Sequence, residues 1–284
     1  MKKMVALLGL AMIVSMVFIG CGGDASHKGG TQNIGGAQQE NILEGTVNII
    51  GSTSVQPVAQ SLADAFSNVE PGIQVDIQGV GSTAGVKAAN DGTANIGTAS
   101  RELKTEEKEW GLTEHVIAMD GIAIAIHPNN NVADLTKNQA ARIFKGEITN
   151  WNEVGGADKE IIVVSREDGS GTRGAFEEIL GIEGQLSEKA LIGEGNGAVK
   201  QNIATKENAI GYVSLGYLDN SIKALSVDGV EATVENIQAN KYPVARPFLM
   251  LTKSEISSET KAFLDFIMSE EGQKIVGEDY ISVK

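Results

Sequence analysis

Ile161-Ile162-Val163-Val164-Ser165-Arg166-Glu167-Asp168-Gly169-Ser170-Gly171-Thr172-Arg173 changes character twice within thirteen residues. An apolar, β-branched run at Ile161–Val164 reads as a strand, the charged and glycine-rich middle as a turn, and Thr172–Leu180 as a helix. The same design occurs at Ile50-Gly51-Ser52-Thr53-Ser54 and at Gly81-Ser82-Thr83-Ala84-Gly85. The first follows the β-rich Thr46–Ile50 and precedes Val55, Val58, Leu62, Ala65 and Phe66, the spacing of one helix face. The second follows Ile73–Ile77, which alternates as a strand, and opens a helix through Val86 and Ala89.

Outward from these segments the alternation continues. Ala94–Gly97 is a short strand, and Gly121–Ile126 is a continuous apolar strand suited to a sheet interior. Helices are predicted at Lys137–Phe144 and Gly197–Thr205, a strand at Ile210–Val213, and a late apolar strand at Ala245–Leu251. A closing helix at Ser257–Ser269 carries Phe263, Phe266 and Ile267 on one face. Alternating elements of this kind imply an α/β protein with mostly parallel sheets and helices on both faces. No repeat of 20–50 residues is visible, and the reading is two lobes.

The three turns share a chemistry. A helix N-terminus presents unsatisfied N–H groups and the positive end of its dipole. Glycine allows close approach, and Ser or Thr adds a donor without a counter-charge. Such turns hold anions with neutral donors, although singly each is an ordinary N-cap. Arg166 adds bidentate charge-assisted bonds, about 1.5–3 kcal/mol each, and Asp168 is placed to orient its guanidinium.

Composition bounds the alternatives. The 284 residues are 42% hydrophobic and 21% charged, enough for a substantial core, with 23 basic against 37 acidic residues and a net charge of −14. That balance excludes a basic nucleic-acid-binding face. One Cys and three His exclude a disulfide framework and the usual zinc cluster. Lys2 and Lys3 precede Met4–Ile19, an apolar run of 16 residues; a spanning helix needs about 20, so residues 1–20 read as a secretory signal. The run ends at Gly20-Cys21, a lipobox reading in which Cys21 is the lipidated (palmitate-bearing) N-terminus, with Phe18 where the motif usually has Leu. Residues 21–45, rich in Gly, Gln, Asn and Ser, form a flexible tether, placing the folded part outside a membrane.

Arg166 with Asp168-Gly169-Ser170-Gly171-Thr172 resembles the phosphate-binding signature of the periplasmic phosphate-binding proteins of ABC transporters. Gly51–Ser54 with Pro57, Gly79–Ser82, Ile143–Gly146 with Asn150-Trp151, and Ala209–Val213 follow in that family's order. The resemblance runs from about Thr46 to Lys284, and the tethered lipobox form is similar to the Gram-positive version. It implies a two-lobed type II periplasmic-binding-protein fold with two crossover strands. Lobe I would be 46–126 plus 246–284 and lobe II 127–245, with the ligand between them.

Carried over, the implied contacts are Thr53, Ser54 and Ser82 from one lobe and Arg166, Ser170, Gly171 and Thr172 from the other, with Asp168 supporting Arg166. Family members often place an Asp after a Gly-Ala-Ser stretch to accept the proton of phosphate. Here Gly97-Thr98-Ala99-Ser100-Arg101 puts Ser100 or Arg101 there, and Asp120, at the lobe boundary, is the substitute acceptor. The implied function is capture of inorganic phosphate by a lipid-anchored monomer and delivery to an ABC permease, without catalysis, cofactor or metal.

The alternatives are a receptor for another tetrahedral oxyanion such as sulfate, an adhesin or sensor on the same fold, and an NAD-dependent enzyme. The last rests on Gly79-Val80-Gly81-Ser82-Thr83-Ala84 with Glu102 downstream, a weak match in a chain with 34 Gly. A nucleophile elbow and a P-loop are absent from the sequence.

Overall fold

The computed structural model describes residues 43–284. The signal segment, Cys21 and nearly all of the tether lie outside the described residues. The chain runs β1 (Gly45–Gly51), α1 (Gln56–Phe66), β2 (Ile73–Gly79), α2 (Ser82–Asp91), β3 (Ile96–Ala99), α3 (Thr105–Lys108) and β4 (Thr113–Ile126). It continues with β5 (Asp134–Leu135), α4 (Lys137–Lys145), β6 (Ile162–Arg166), α5 (Gly171–Leu180), β7 (Leu191–Gly193) and α6 (Gly195–Thr205). Then come β8 (Ala209–Ser214), β9 (Lys223–Ala224), β10 (Ser226–Val227), α7 (Val234–Gln238), β11 (Ala245–Thr252), α8 (Ser258–Ile267) and α9 (Glu270–Asp279).

One sheet has the order β2-β1-β3-β11-β4-β8-β6-β7, with β9 beside β4. Its flanks are parallel: β1 with β2 and β3, and β6 with β7 and β8. Its centre is antiparallel, because β11 pairs with β3 and β4, and β4 with β8. The expected parallel arrangement thus holds where helices connect the strands. It gives way where the long β4 and β11 lie side by side.

Burial divides the described chain around two main cores. Val47, Ile49, Leu62, Phe66, Ile96, Phe248, Phe263 and Ile267 belong to one. Ile122, Ile124, Phe144, Trp151, Phe176, Ile210 and Tyr212 belong to the other. The α1 pattern works as its spacing implies: Val58, Leu62 and Phe66 face inward, and the Phe66 ring lies 5.2 Å from that of Phe263. Truncating such a ring costs about 3–5 kcal/mol. In the second core Phe176 stacks on Tyr212 at 4.0 Å. The helix α4 beneath it is fixed at its start by a Thr136–Gln139 capping box and at its end by Gly146.

β4 gives Ile117 and Ala118 to the first core and Ile122, Ile124 and Ile126 to the second. Only its apolar second half, Gly121–Ile126, is evident in the sequence. The first half begins Thr113-Glu114-His115-Val116, which is exposed but for the half-buried His115, so it lacks the continuous apolar signal. The expected helix at Ser257–Ser269 ends at Ile267, and the Ser269 hydroxyl accepts from the Gly272 amide to start α9. The fold also starts one residue before Thr46, since Gly45 pairs with Ile73 in β1.

Candidate anion-binding site

Four helices, α1, α2, α5 and α6, bring their N-terminal ends together. The turn after β1 is built on Ser52, whose Oγ accepts from the Ser54 amide at 3.1 Å and donates to Ser100 Oγ at 2.8 Å. That leaves Thr53 and Ser54 projecting from the turn. Ser54 Oγ lies 2.9 Å from Thr172 Oγ1. Ser82 Oγ accepts from the Ser100 amide at 3.1 Å. The backbones also meet, for the Thr83 amide donates to Gly169 O at 3.0 Å.

Gly171 shows why the third turn needs glycine. A Cβ there would fall 2.2 Å from Ser82 Oγ and 2.8 Å from Ser100 Oγ. Bare backbone therefore places the first α5 amides, which have no intrahelical acceptor, against the hydroxyls of the opposite turn. Ser54, Ser82, Ser100, Arg166, Thr172, Asn196, Asp120 and Arg246 are all buried.

Arg166 ends β6 and reaches across. Its Nη2 donates to Thr53 Oγ1 at 3.1 Å and its Nη1 to Thr172 Oγ1 at 3.3 Å. Its carboxylate support is Glu167, not Asp168: Nε and Nη2 donate to the two Glu167 oxygens at 2.8 and 2.7 Å. Asp168, with its side chain 97% exposed, instead accepts from Arg173 Nη1 at 2.7 Å. The two acids exchange roles because the chain leaves β6 at Arg166, and the first residue of the turn, not the second, lies beside the guanidinium. Burial raises the Glu167 carboxyl, but the Arg166 bonds and the Gly195 amide outweigh it and hold it below the usual range.

The structure brings Thr53, Ser54, Ser82, Ser100, Arg166, Gly171 and Thr172 into one cluster. Ser170 borders it, but its hydroxyl accepts from the Arg173 amide as the N-cap of α5. Arg101 is adjacent and differently engaged. Its guanidinium donates to both Glu107 oxygens at 2.7 and 2.8 Å, with Thr83 Oγ1 at 3.3 Å. Burial raises the Glu107 carboxyl, and the Arg101 and Lys104 contacts more than reverse that shift.

Asp120 faces Arg246 directly across the β4–β11 pair. One Asp120 oxygen accepts from Arg246 Nε and Nη2 at 3.2 and 2.9 Å, the other from Ser214 Oγ and the Leu215 amide at 3.0 and 3.2 Å. All four lone-pair directions are taken, so Asp120 is not a free acceptor for a ligand proton as expected from the sequence. It acts through Arg246, whose Nη2 donates to Ser54 Oγ at 3.0 Å. Burial pushes the Asp120 carboxyl up, against the pull of Arg246.

Asn196, Arg246, Glu167 and Tyr217 were not picked out from the sequence. Asn196, at the start of α6, donates to Ser54 Oγ and Thr53 Oγ1 at 2.9 and 3.2 Å. The Tyr217 hydroxyl donates to Thr53 O at 2.9 Å. A signal for Asn196 exists in Gly193-Glu194-Gly195-Asn196-Gly197, a fourth glycine turn before a helix with Asn in place of a hydroxyl. Arg246 is a single charge inside an apolar strand, which is itself a sign of a buried partner.

Residues 36–271 match the family model described as a PBP superfamily domain. The phosphate-binding protein PstS of Bacillus subtilis is 33% identical over 289 residues, covering 99% of this chain and 94% of its own. The chain belongs to the PstS family. PstS of Borreliella burgdorferi is 30% identical and covers 85% of the chain. Among solved structures, a Clostridium perfringens protein with bound phosphate is 51% identical, with a TM-score of 0.83 over 84% of this chain and all of that one. An ABC-type phosphate transport receptor from Vibrio cholerae is 37% identical, with a TM-score of 0.71 over the same shares. The fold is therefore the α/β periplasmic-binding-protein fold, and the PstS relatives are binding proteins, not enzymes.

Proposed function

We propose that this chain captures inorganic phosphate between two lobes outside the membrane and delivers it to an ABC importer. One observation carries the reading: the buried hydroxyls of Ser54, Ser82, Ser100 and Thr172 lie where four helix N-termini converge, and Arg166 donates to Thr172 there. Neutral donors and one arginine suit a small tetrahedral dianion, and the acidic surface excludes larger polyanions by repulsion. The ligand contacts are Thr53, Ser54, Ser82, Ser100, Arg166, Gly171 and Thr172, with Glu167 orienting Arg166. Ser170 and Arg101 shape the surrounding wall.

The lobes are 46–126 with 246–284 and 127–245, joined through β4 and β11. The two cores support two lobes, with the change-over inside β4 between Ala118 and Ile122, since Ile122, Ile124 and Ile126 pack in the second core. Among the described residues no helix is long and apolar enough to cross a membrane; the attachment proposed is a lipid on Cys21. The working form is a monomer that docks on permease subunits.

Calorimetric titration of the ligand-stripped protein with phosphate, then sulfate, tests the function. Phosphate binding with sulfate ignored is the expected result. Equal binding of both would make it a general oxyanion receptor, and silence toward both would overturn the reading.

A further inference from the structure

We infer that Asn196 is a positioning residue whose amide locks the Thr53 and Ser54 hydroxyls as donors, Thr53 toward a bound oxyanion and Ser54 toward Thr172, whose own proton then faces the oxyanion. The inference rests on the phosphate-receptor reading. Its starting point is the orientation of the amide. The Ser214 N–H donates to Asn196 Oδ1 at 3.1 Å, and a backbone N–H has no other role than donor. Nδ2 is thereby turned toward Thr53 and Ser54, and its two hydrogens go one to each hydroxyl.

A hydroxyl has one proton and two lone pairs. On Thr53 one lone pair takes Asn196 Nδ2 and the other Arg166 Nη2. On Ser54 one takes Asn196 Nδ2 and the other Arg246 Nη2. Neither amide nor guanidinium nitrogen accepts, so each hydroxyl has only its proton left to offer. The Ser54 proton points to Thr172 Oγ1, whose second lone pair takes Arg166 Nη1. One amide, itself aimed by Ser214, thus fixes the direction of the array.

A wall of this kind rewards unprotonated oxygens. Hydrogen phosphate dianion offers three and the monoanion two, so the locked hydroxyls favour the dianion. Without the Asn196 amide, each hydroxyl regains a lone pair and can rotate to accept a P–OH. The charged groups around the pair are Arg166 and Glu167, and Arg246 and Asp120. All four remain in an Asn196 variant.

The test is calorimetric titration with inorganic phosphate on either side of its second ionisation, at about pH 8 and about pH 5, for the parent protein, Asn196→Ala and Asn196→Asp. The parent is read first; if it binds no phosphate, the receptor reading itself fails, and this inference with it. Given parent binding, Asn196→Ala is expected to weaken phosphate about tenfold at the higher pH, the size of two lost neutral hydrogen bonds. At the lower pH it should lose clearly less. Asn196→Asp keeps the size and the Ser214 bond, and guards against misfolding of the alanine variant. Its carboxylate draws both hydroxyl protons to itself, so it should lose more than the alanine variant at the higher pH. Parent-like affinity in either variant, or the same factor lost at both pH values in Asn196→Ala, would overturn the positioning role.

Discussion

The Ser54 and Thr172 hydroxyls lie 2.9 Å apart although 118 residues separate them in the chain. The first follows β1 and the second opens α5, so this contact joins elements of the two cores. A ligand held by both hydroxyls would bridge the two halves of the molecule, which is how closure reports a bound state.

Arg166→Ala should abolish phosphate binding while the fold survives. The guanidinium supplies charge-assisted bonds of about 1.5–3 kcal/mol each, and two of them correspond to a loss of about a hundredfold or more. Calorimetry against the parent protein measures this, with circular dichroism as the check on folding. Unchanged affinity would remove Arg166 from the site.

Gly171→Ala should impair binding by geometry alone. The added methyl would meet Ser82 Oγ at 2.2 Å and Ser100 Oγ at 2.8 Å, forcing α5 away from the opposite turn. The expected outcome is at least about a tenfold weaker phosphate affinity, of the order that small displacements at a packed contact produce. Small-angle scattering with saturating phosphate should show a less compact protein than the parent.

Glu107 makes stability depend on pH. Its folded carboxyl lies below the ordinary 4.5, so its contribution is fully present above that value and is lost as pH falls through the folded one. Glu107→Gln removes this contribution and leaves Arg101, 5% exposed, without its counter-charge. The expected cost is about 3–5 kcal/mol, seen as a lower Tm at neutral pH and a shallower fall in Tm on acidification.

Cys21→Ser should move the protein from the membrane fraction to the soluble fraction without altering phosphate affinity. Fractionation of expressing cells, followed by immunoblotting, checks this. Retention in the membrane would defeat the lipid-anchor reading.

Much of the site is legible in the sequence because it is built from local motifs. Thr53, Ser54, Ser82 and Thr172 sit in glycine turns whose strand and helix flanks are evident within a dozen residues. What is not legible depends on register between distant strands. Asp120 and Arg246 are 126 residues apart in sequence and meet only because β4 and β11 pair antiparallel. The same pairing gives Asp120 its full set of donors, which no local pattern announces. Glu167 and Asp168 are neighbours of one chemical class, and the place where β6 ends decides between them. Asn196 stands among three glycines, where composition suggests a loose turn and hides a buried amide.

The three buried arginines each keep a carboxylate of their own: Arg166 with Glu167, Arg101 with Glu107, and Arg246 with Asp120. These pairs add no net charge to the site, and the whole chain carries −14. An approaching dianion meets repulsion reaching about 10 Å in 0.1 M salt, and added ions shorten that reach. Encounter should therefore speed up as ionic strength rises, opposite to a receptor that steers its ligand in by attraction. Once inside, phosphate would be held at contact distance by the Arg166 guanidinium and by hydroxyl and amide dipoles, which dissolved ions scarcely screen. Salt would quicken the capture and scarcely touch the residence time.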